Sequence, residues 1–512
     1  MIRKATDVKL NVLPVIIMCE HKYYYEGPCR FGKGEALYPG YDRLANEQKA
    51  LSFLASVESC APEGVTMMEP VRFTRTDDWD NDESQWEAMT PAVKNCDFAV
   101  IMTGIACDDL VVEFAERFKV PTAITPISAF SSQTDVANLR AKPINEYEAY
   151  AFYRWEDLGF QMKVLRARKV LQNLHILCVT RFGSPTSYSS LDALNSYNLI
   201  TDRLGVRFRF VNVHELFDQM TPATEGGNHT TPGRITPDLD DEDMKKVDEL
   251  CDELCSNAVA VNMDREDIKN SLKFYVMVQK YLDLKDCNGF TIPCPDACST
   301  RRLNEQRFTP CLTHSLNMEN LIPSACEYDT NAVLSQQALI AVSGKCAYMG
   351  NTCPVPFENG RLSARFGTTP EQLAKLEENP ENIYMMQHSV ASRRLPDPDK
   401  LQPYQINCFA HDQKFGATIR YDFDADAGQK VTLCRFSPDA SKLFIGNGEI
   451  IMGGGYDTNN CSQLVYFRVK NVEDMWEKQC SAGNHLSLVY GDYTKELIAL
   501  AKSLKVEPLI AE

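Results

Sequence analysis

Three runs within residues 310–351 decide how the chain is read. They are Pro310-Cys311-Leu312-Thr313-His314, then Ala325-Cys326-Glu327-Tyr328-Asp329-Thr330-Asn331-Ala332-Val333-Leu334, and Ser343-Gly344-Lys345-Cys346-Ala347-Tyr348-Met349-Gly350-Asn351. In order they predict a loop carrying two acids, a helix with one apolar face, a glycine stop, and a short buried strand ending in a polar side chain. A strand–helix–strand unit of this kind returns its two ends to one sheet edge, so Glu327 and Asn351 are expected to face one pocket.

Upstream, the same alternation recurs. Apolar runs predict strands over 174–179, 206–213 and 289–292, separated by helices over 189–204, 242–255 and 268–284, with Gly205 as a helix stop. The polar turn at 181–186 lacks the phosphate-loop pattern. An acidic stretch with Pro and Gly, 220–243, reads as an excursion. Further toward the N-terminus, strands are predicted over 11–18, 97–102 and 120–124. Helices are expected over 41–57, over 162–171 and after Asp108 and Asp109, which stand where a cap and first turn belong. Beyond Pro354 the texture changes: a short helix at 373–378, then runs at 417–423, 430–436, 442–453 and 464–469 that alternate like antiparallel strands, and a closing helix at 493–504. The expected fold is α/β, with two doubly wound parallel-sheet domains (1–170 and 171–354) followed by a mostly antiparallel β C-terminal domain (355–512).

Composition narrows the function classes. The 512 residues carry a net charge of −17 and no basic block, which argues against nucleic acid and anionic membranes as partners. No segment approaches the roughly 18 uninterrupted apolar residues of a membrane helix, and the N-terminal residues lack the apolar core of a secretion signal. Nineteen cysteines, an odd number scattered without a framework, suggest reduced thiols. A soluble cytoplasmic enzyme is the expected class.

Several side chains are candidates for chemistry. Glu327 and Asp329 precede an apolar helix, where acids serve either the helix dipole or a cation and a proton. His388 ends the apolar run 383–387, and His485 precedes the apolar run 486–490. A histidine at a strand end is commonly structural, but oxygen ligands with one or two imidazoles suit manganese or magnesium rather than zinc. Cys287, Cys294, Cys298 and Cys311 lack the paired spacing of a zinc site. Gly453-Gly454-Gly455 reads as a turn.

Taken together, these motifs resemble the L-fucose isomerase and L-arabinose isomerase superfamily. The likeness rests on Thr309-Pro310-Cys311-Leu312, Ala325 through Asp329, Ser343-Gly344-Lys345 with Gly350-Asn351, and Gly483-Asn484-His485-Leu486-Ser487-Leu488-Val489-Tyr490-Gly491-Asp492, with weaker support from Lys430-Val431-Thr432-Leu433 and from 446–449. It is consistent from Leu174 onward and reduces to strand and helix order before that. The resemblance implies an aldose–ketose isomerase acting through an enediol, with Mn2+ as the expected ion and Co2+ or Mg2+ as alternatives. It also implies a small sugar substrate and assembly into a trimer or hexamer, in which a neighbour's N-terminal domain completes the pocket. Glu327 matches the first metal-binding acid, which is also the base, and His485 matches the terminal histidine. His388 matches an additional histidine of the arabinose-type enzymes.

Asn351 departs from the pattern, standing where the resemblance expects an aspartate. An amide oxygen can coordinate a hard cation but adds no charge and takes no proton. Asp329, Glu358 or a water molecule are the candidates to substitute for it. The departure leaves open a diverged isomerase, a carbohydrate-binding protein without turnover, or an epimerase or lyase on the same scaffold.

Overall fold

The computed structural model describes residues 2–512 apart from 21–40, 77–82, 105–106, 126–131, 142–147, 181–195, 221–237, 299, 364–367, 411–413, 455–460 and 462. Several expectations therefore lie outside the described residues: the turn at 181–186, the start of the helix predicted over 189–204, most of the excursion at 220–243, and Gly455. The chain divides into two units, Val8–Arg166 and Ala167–Glu512, the latter joined by the residues before Val8.

In the first unit the strand Leu10–Glu20 is the spine of a six-stranded parallel sheet. Val65–Met67 and Val71–Thr76 pair along one edge and Phe98–Thr103 along the other, followed by Thr122–Ile124 and Ala149–Ala151. Leu13, Val15 and Ile17 pack into one apolar cluster with Phe73 and Phe114, while Val12, Ile16 and Met18 enter another with Phe53 and Val57. Burial on both faces explains why this strand reads as an unbroken apolar run. The cap of the helix Asp108–Phe118 is Cys107 rather than Asp108. Asp109 instead pairs with the buried Arg75 at 2.6 Å.

The second unit begins with a four-stranded parallel sheet in which His175–Thr180 lies between Arg207–Asn212 and Gly289–Thr291, and Ser324–Ala325 adds to the latter. The helix Tyr197–Leu204 ends at Gly205, whose φ of 75° allows the left-handed turn that closes it.

Farther along, six antiparallel strands close on themselves. In spatial order they are Lys430–Phe436, His485–Tyr490, Tyr348–Pro354, Ile383–His388, Gln463–Arg468 and Lys442–Gly453, which pairs back to the first. Glu507–Ile510, a strand that the sequence reading lacks, adds in parallel to Lys442–Gly453. Closure removes every free edge among the six. The strand Phe415–Tyr421 belongs to a separate sheet with Tyr404–Ala410 and Ala260–Val261.

Two expectations about residues 310–351 are corrected. The first part is a helix, Cys311–Glu319, rather than a loop. More consequentially, Tyr348–Pro354 belongs to the closed antiparallel sheet and not to the parallel one, so Glu327 and Asn351 do not share a sheet edge. The cause lies in the helix between them. Thr330–Ser343 has no solvent face: it packs on the parallel strands Gly289–Thr291 and Ser324–Ala325 and on the barrel strands Lys430–Phe436 and His485–Tyr490. Its polar residues are satisfied inside the protein. The Asn331 amide donates to the Ser437 carbonyl at 2.6 Å, and the Ser324 backbone N–H donates to Gln336 Oε1 at 2.7 Å. A polar residue that bonds internally mimics a solvent face in the sequence, and the helix was read accordingly as one-sided.

Gly350 lies where two barrel strands approach closely. A Cβ there would stand 2.6 Å from Met386 Cγ and 2.7 Å from the Gln387 carbonyl oxygen. Because the second neighbour is backbone, Gly350→Ala should destabilise the protein by about 1–3 kcal/mol, the usual cost of overpacking. The lowered urea midpoint would report it; an unchanged midpoint would mean that these strands part without penalty.

None of the described helices is long and apolar enough to cross a membrane.

Candidate active site at the mouth of the barrel

Glu327 is presented by an unusual turn. It follows the parallel strand Ser324–Ala325, and both Glu327 and Tyr328 adopt left-handed backbone conformations, with φ of 58° and 61°. Two consecutive non-glycine residues in this region are costly and persist only where the surroundings hold them. Here the Tyr328 backbone N–H donates to the Ile292 carbonyl at 3.0 Å, and the Asp329 N–H donates to the Cys326 carbonyl at 3.1 Å. Asp329 then caps the helix Thr330–Ser343 by accepting from the Ala332 N–H at 2.8 Å.

Two histidines from the barrel meet the carboxylate of Glu327. His388 Nε2 lies 3.5 Å from Oε1, and His485 Nε2 lies 3.6 Å from Oε2. Both rings are fully buried and stand edge to face, 5.6 Å between centroids. Their positions follow from the barrel. His388 ends the strand Ile383–His388, where its backbone N–H donates to the Tyr348 hydroxyl at 2.8 Å while that hydroxyl donates to the Gln463 carbonyl at 2.7 Å. His485 opens the strand His485–Tyr490, opposite Asn351 in the register.

The two imidazoles differ in what they offer. His485 Nδ1 is 3.0 Å from Asp329 Oδ2. A carboxylate only accepts, so Nδ1 carries the proton and Nε2 presents its lone pair toward Glu327. This carboxylate–histidine relay is the arrangement that orients an imidazole for a cation. His388 has the opposite tautomer. Its Nδ1 accepts from the Ser389 N–H at 3.1 Å, which leaves the hydrogen on Nε2, facing Glu327. His485 is ready to coordinate; His388 is set to donate and must lose that hydrogen before it can coordinate.

Behind His485 lies a fully buried ion pair. Arg435 Nη1 donates to Asp329 Oδ2 at 2.7 Å and to the His485 carbonyl at 2.6 Å, while Nε donates to the Ala482 carbonyl at 2.9 Å. Burial raises the Asp329 pKa, but the Arg435 charge and the His485 hydrogen bond outweigh it, so the carboxyl sits below its ordinary range. Glu327 follows the same logic. Burial raises it, yet the hydrogen bond from His388 and the charges of the two histidines bring its pKa down to about 2. Glu327 is thus an anion at any working pH.

The other expected residues fall as follows. Asn351 accepts a hydrogen bond from the Asn484 side-chain amide, and no recorded contact joins its side chain to Glu327 among the described residues. Glu358 lies exposed on the short hairpin strand Phe357–Glu358. His314 bonds Ser324 Oγ at 2.8 Å, and burial holds its pKa down to about 3, so it stays neutral. Two participants were not singled out from the sequence: Arg435, and Cys461, whose sulfur lies with a carboxylate oxygen of Glu327 and a ring nitrogen of His388 in a group whose atoms are all within 4.8 Å of one another. A charged residue in the middle of the apolar run 430–436 was the available signal for the first. A single cysteine outside any metal-binding spacing offered none for the second.

No protein-family model matches the chain. Two curated relatives do, the sulfoquinovose isomerases of Priestia aryabhattai and Priestia megaterium, each 21% identical over 368 residues that cover 70% of this chain and 70% of the relative. Both relatives are named as isomerases of a sugar, which is in keeping with the resemblance read from the sequence.

Proposed function

We propose that the chain is a divalent-cation-dependent aldose–ketose isomerase acting on a sugar or sugar derivative, and that it works in the cytosol as a homo-oligomer. The observation that carries this reading is the anionic Glu327 carboxylate set between two buried histidines, one of them oriented by Asp329. The donor set fits a cation: a carboxylate, an imidazole nitrogen with its lone pair facing the carboxylate, and an amide oxygen at Asn351 on the adjacent strand. Glu327, His485 and Asn351 would hold the ion, with Mn2+ first and Co2+ or Mg2+ next. When bound, it would polarise the sugar carbonyl and the neighbouring hydroxyl and so acidify the hydrogen at C2.

The remaining steps fall to side chains. Glu327 accepts the C2 hydrogen as a proton and returns it at C1, while the O2 hydroxyl proton passes to O1, so that the path runs through an enediol. His388, with its hydrogen on Nε2, steadies the Glu327 carboxylate in the charged form. Asp329 keeps His485 in the coordinating tautomer. Asn351 supplies an oxygen but no proton, which makes Glu327 the single acid–base group of this set.

The test is hydrogen exchange at C2 of aldoses in D2O, followed by NMR, with Mn2+ or Co2+ added and with sulfoquinovose, the sugar named for the relatives, in the panel. Wild-type protein should exchange the C2 hydrogen of at least one sugar. Sugar binding with no exchange across the panel would sink the isomerase reading. Asn351→Asp should tighten Mn2+ binding by about tenfold, a gain of about 1.4 kcal/mol, because Asn484 can still donate to the new carboxylate while a second charge enters the site. Equal Mn2+ affinities in the two proteins would remove Asn351 from the ligand set.

A further inference from the structure

Among the described residues, a divalent cation at Glu327 would meet only one uncommitted carboxylate. Asp329 is bound to Arg435 and His485, and Asn351 is neutral. A second anion must come from elsewhere, and Cys461 is the group in reach. Its sulfur, a Glu327 oxygen and a His388 nitrogen all lie within 4.8 Å of one another. His388 is fully buried, and its Nε2, 3.5 Å from Glu327 Oε1, faces the same group. Other thiols lie close by without entering it: Cys326 donates to Cys294 Sγ at 3.2 Å, on the strand side of Glu327.

We propose that Cys461 is a thiolate ligand of the cation held by Glu327, so that the site favours Co2+, Zn2+ or Fe2+ over Mg2+. This inference rests on the cation-dependent reading above and specifies its ligand set. On binding, the sulfur–metal bond forms as the thiol proton leaves to solvent. Thiolate is a soft donor and an imidazole an intermediate one, and their combination with a single carboxylate moves the preference away from hard, oxygen-seeking cations. The site thereby obtains its second negative charge from sulfur rather than from oxygen.

Cobalt reports this directly. Metal-free protein titrated with Co2+ should develop a thiolate-to-cobalt charge-transfer band in the near ultraviolet, with bound cobalt counted by elemental analysis. Cys461→Ser should still take up Co2+ through Glu327 and His485 but lose the band. Cys461→Asp should take up Co2+ without the band and let Mg2+ compete for the site, whereas Mg2+ should compete poorly in the wild type. A band that persists in Cys461→Ser, or cobalt uptake by the wild type with no band at all, would overturn the thiolate while leaving the isomerase reading intact. Failure of the wild type to bind Co2+, Mn2+, Zn2+ or Mg2+ would overturn both.

Discussion

Glu327→Gln should lower C2 hydrogen exchange on any accepted sugar by about 10²–10⁴-fold, the range typical for removal of a positioned acid–base group. Glutamine keeps the size and one acceptor oxygen of the side chain, and the left-handed turn at 327–328 is held by backbone bonds to Ile292 and Cys326 that the substitution does not touch. The loss would therefore reflect chemistry rather than collapse of the loop. Because Glu327 carries a pKa of about 2, the wild-type carboxylate stays charged through the whole working range, and the rate should show no acid limb from this group at pH 5–8. Two effects are folded into the variant: a lost base and a weakened cation site. Repeating the assay at saturating Mn2+ or Co2+ separates them. If saturation restores the wild-type rate, Glu327 acts only by holding the ion; if the defect persists, it moves the proton. Exchange at the wild-type rate without added metal would sink the assignment of Glu327 altogether.

How far the sequence carried this picture depends on which physical rule governed each element. The barrel strands Lys430–Phe436 and Lys442–Gly453 are legible to the residue because turn residues bound each strand-length run, even though Val431 to Phe436 is buried on both faces. Leu10–Glu20 is legible as an unbroken apolar run. Residues 310–351 mislead because the helix Thr330–Ser343 is buried on all sides, and its polar Asn331, Ser335 and Gln336 bond internally instead of facing solvent. Once that helix is read as amphipathic, the strand after it is drawn to the wrong sheet. Glu327, His388 and His485 could be named from their places beside apolar runs, but not their meeting. That depends on the pairing of Asn351 with both His485 and Gln387 across a closed sheet, and strand register is not written in any local pattern. Arg435 and Cys461 act only through partners that lie distant in sequence, Asp329 for one and the pair Glu327 and His388 for the other, so no spacing rule reaches them.

The buried pair of Asp329 and Arg435 should dominate the stability of this region. Both side chains are fully buried, and removing one partner of such a pair leaves an uncompensated charge that costs about 3–5 kcal/mol. The two single variants are not equivalent. Asp329→Asn strands a guanidinium that cannot shed its proton and is left with neutral partners such as the Ala482 and His485 carbonyls. Arg435→Met strands a carboxylate that can take up a proton or share one with His485, so its cost should fall toward the lower end of that range. Replacing both, Asp329→Leu with Arg435→Met, should recover part of the loss, since the desolvation of two charges is removed along with their attraction. Urea unfolding of the three proteins decides this, and a double variant less stable than either single one would contradict it. The pH dependence has a definite sign. The Asp329 pKa is depressed in the folded protein relative to an unfolded value of about 3.9, so its contribution is fully present above that value and is lost as pH falls through the lower, folded one. Wild-type stability should therefore drop on acidification below about pH 4 more steeply than that of Asp329→Asn. Cation affinity separates structure from positioning: Asp329→Asn takes the anionic acceptor from His485 Nδ1 and should weaken Co2+ binding by about 10–100-fold, whereas Arg435→Met keeps the Asp329–His485 bond and should bind Co2+ nearly as the wild type does. Equal losses of affinity in both would mean that the ion pair matters to the site only by holding the fold.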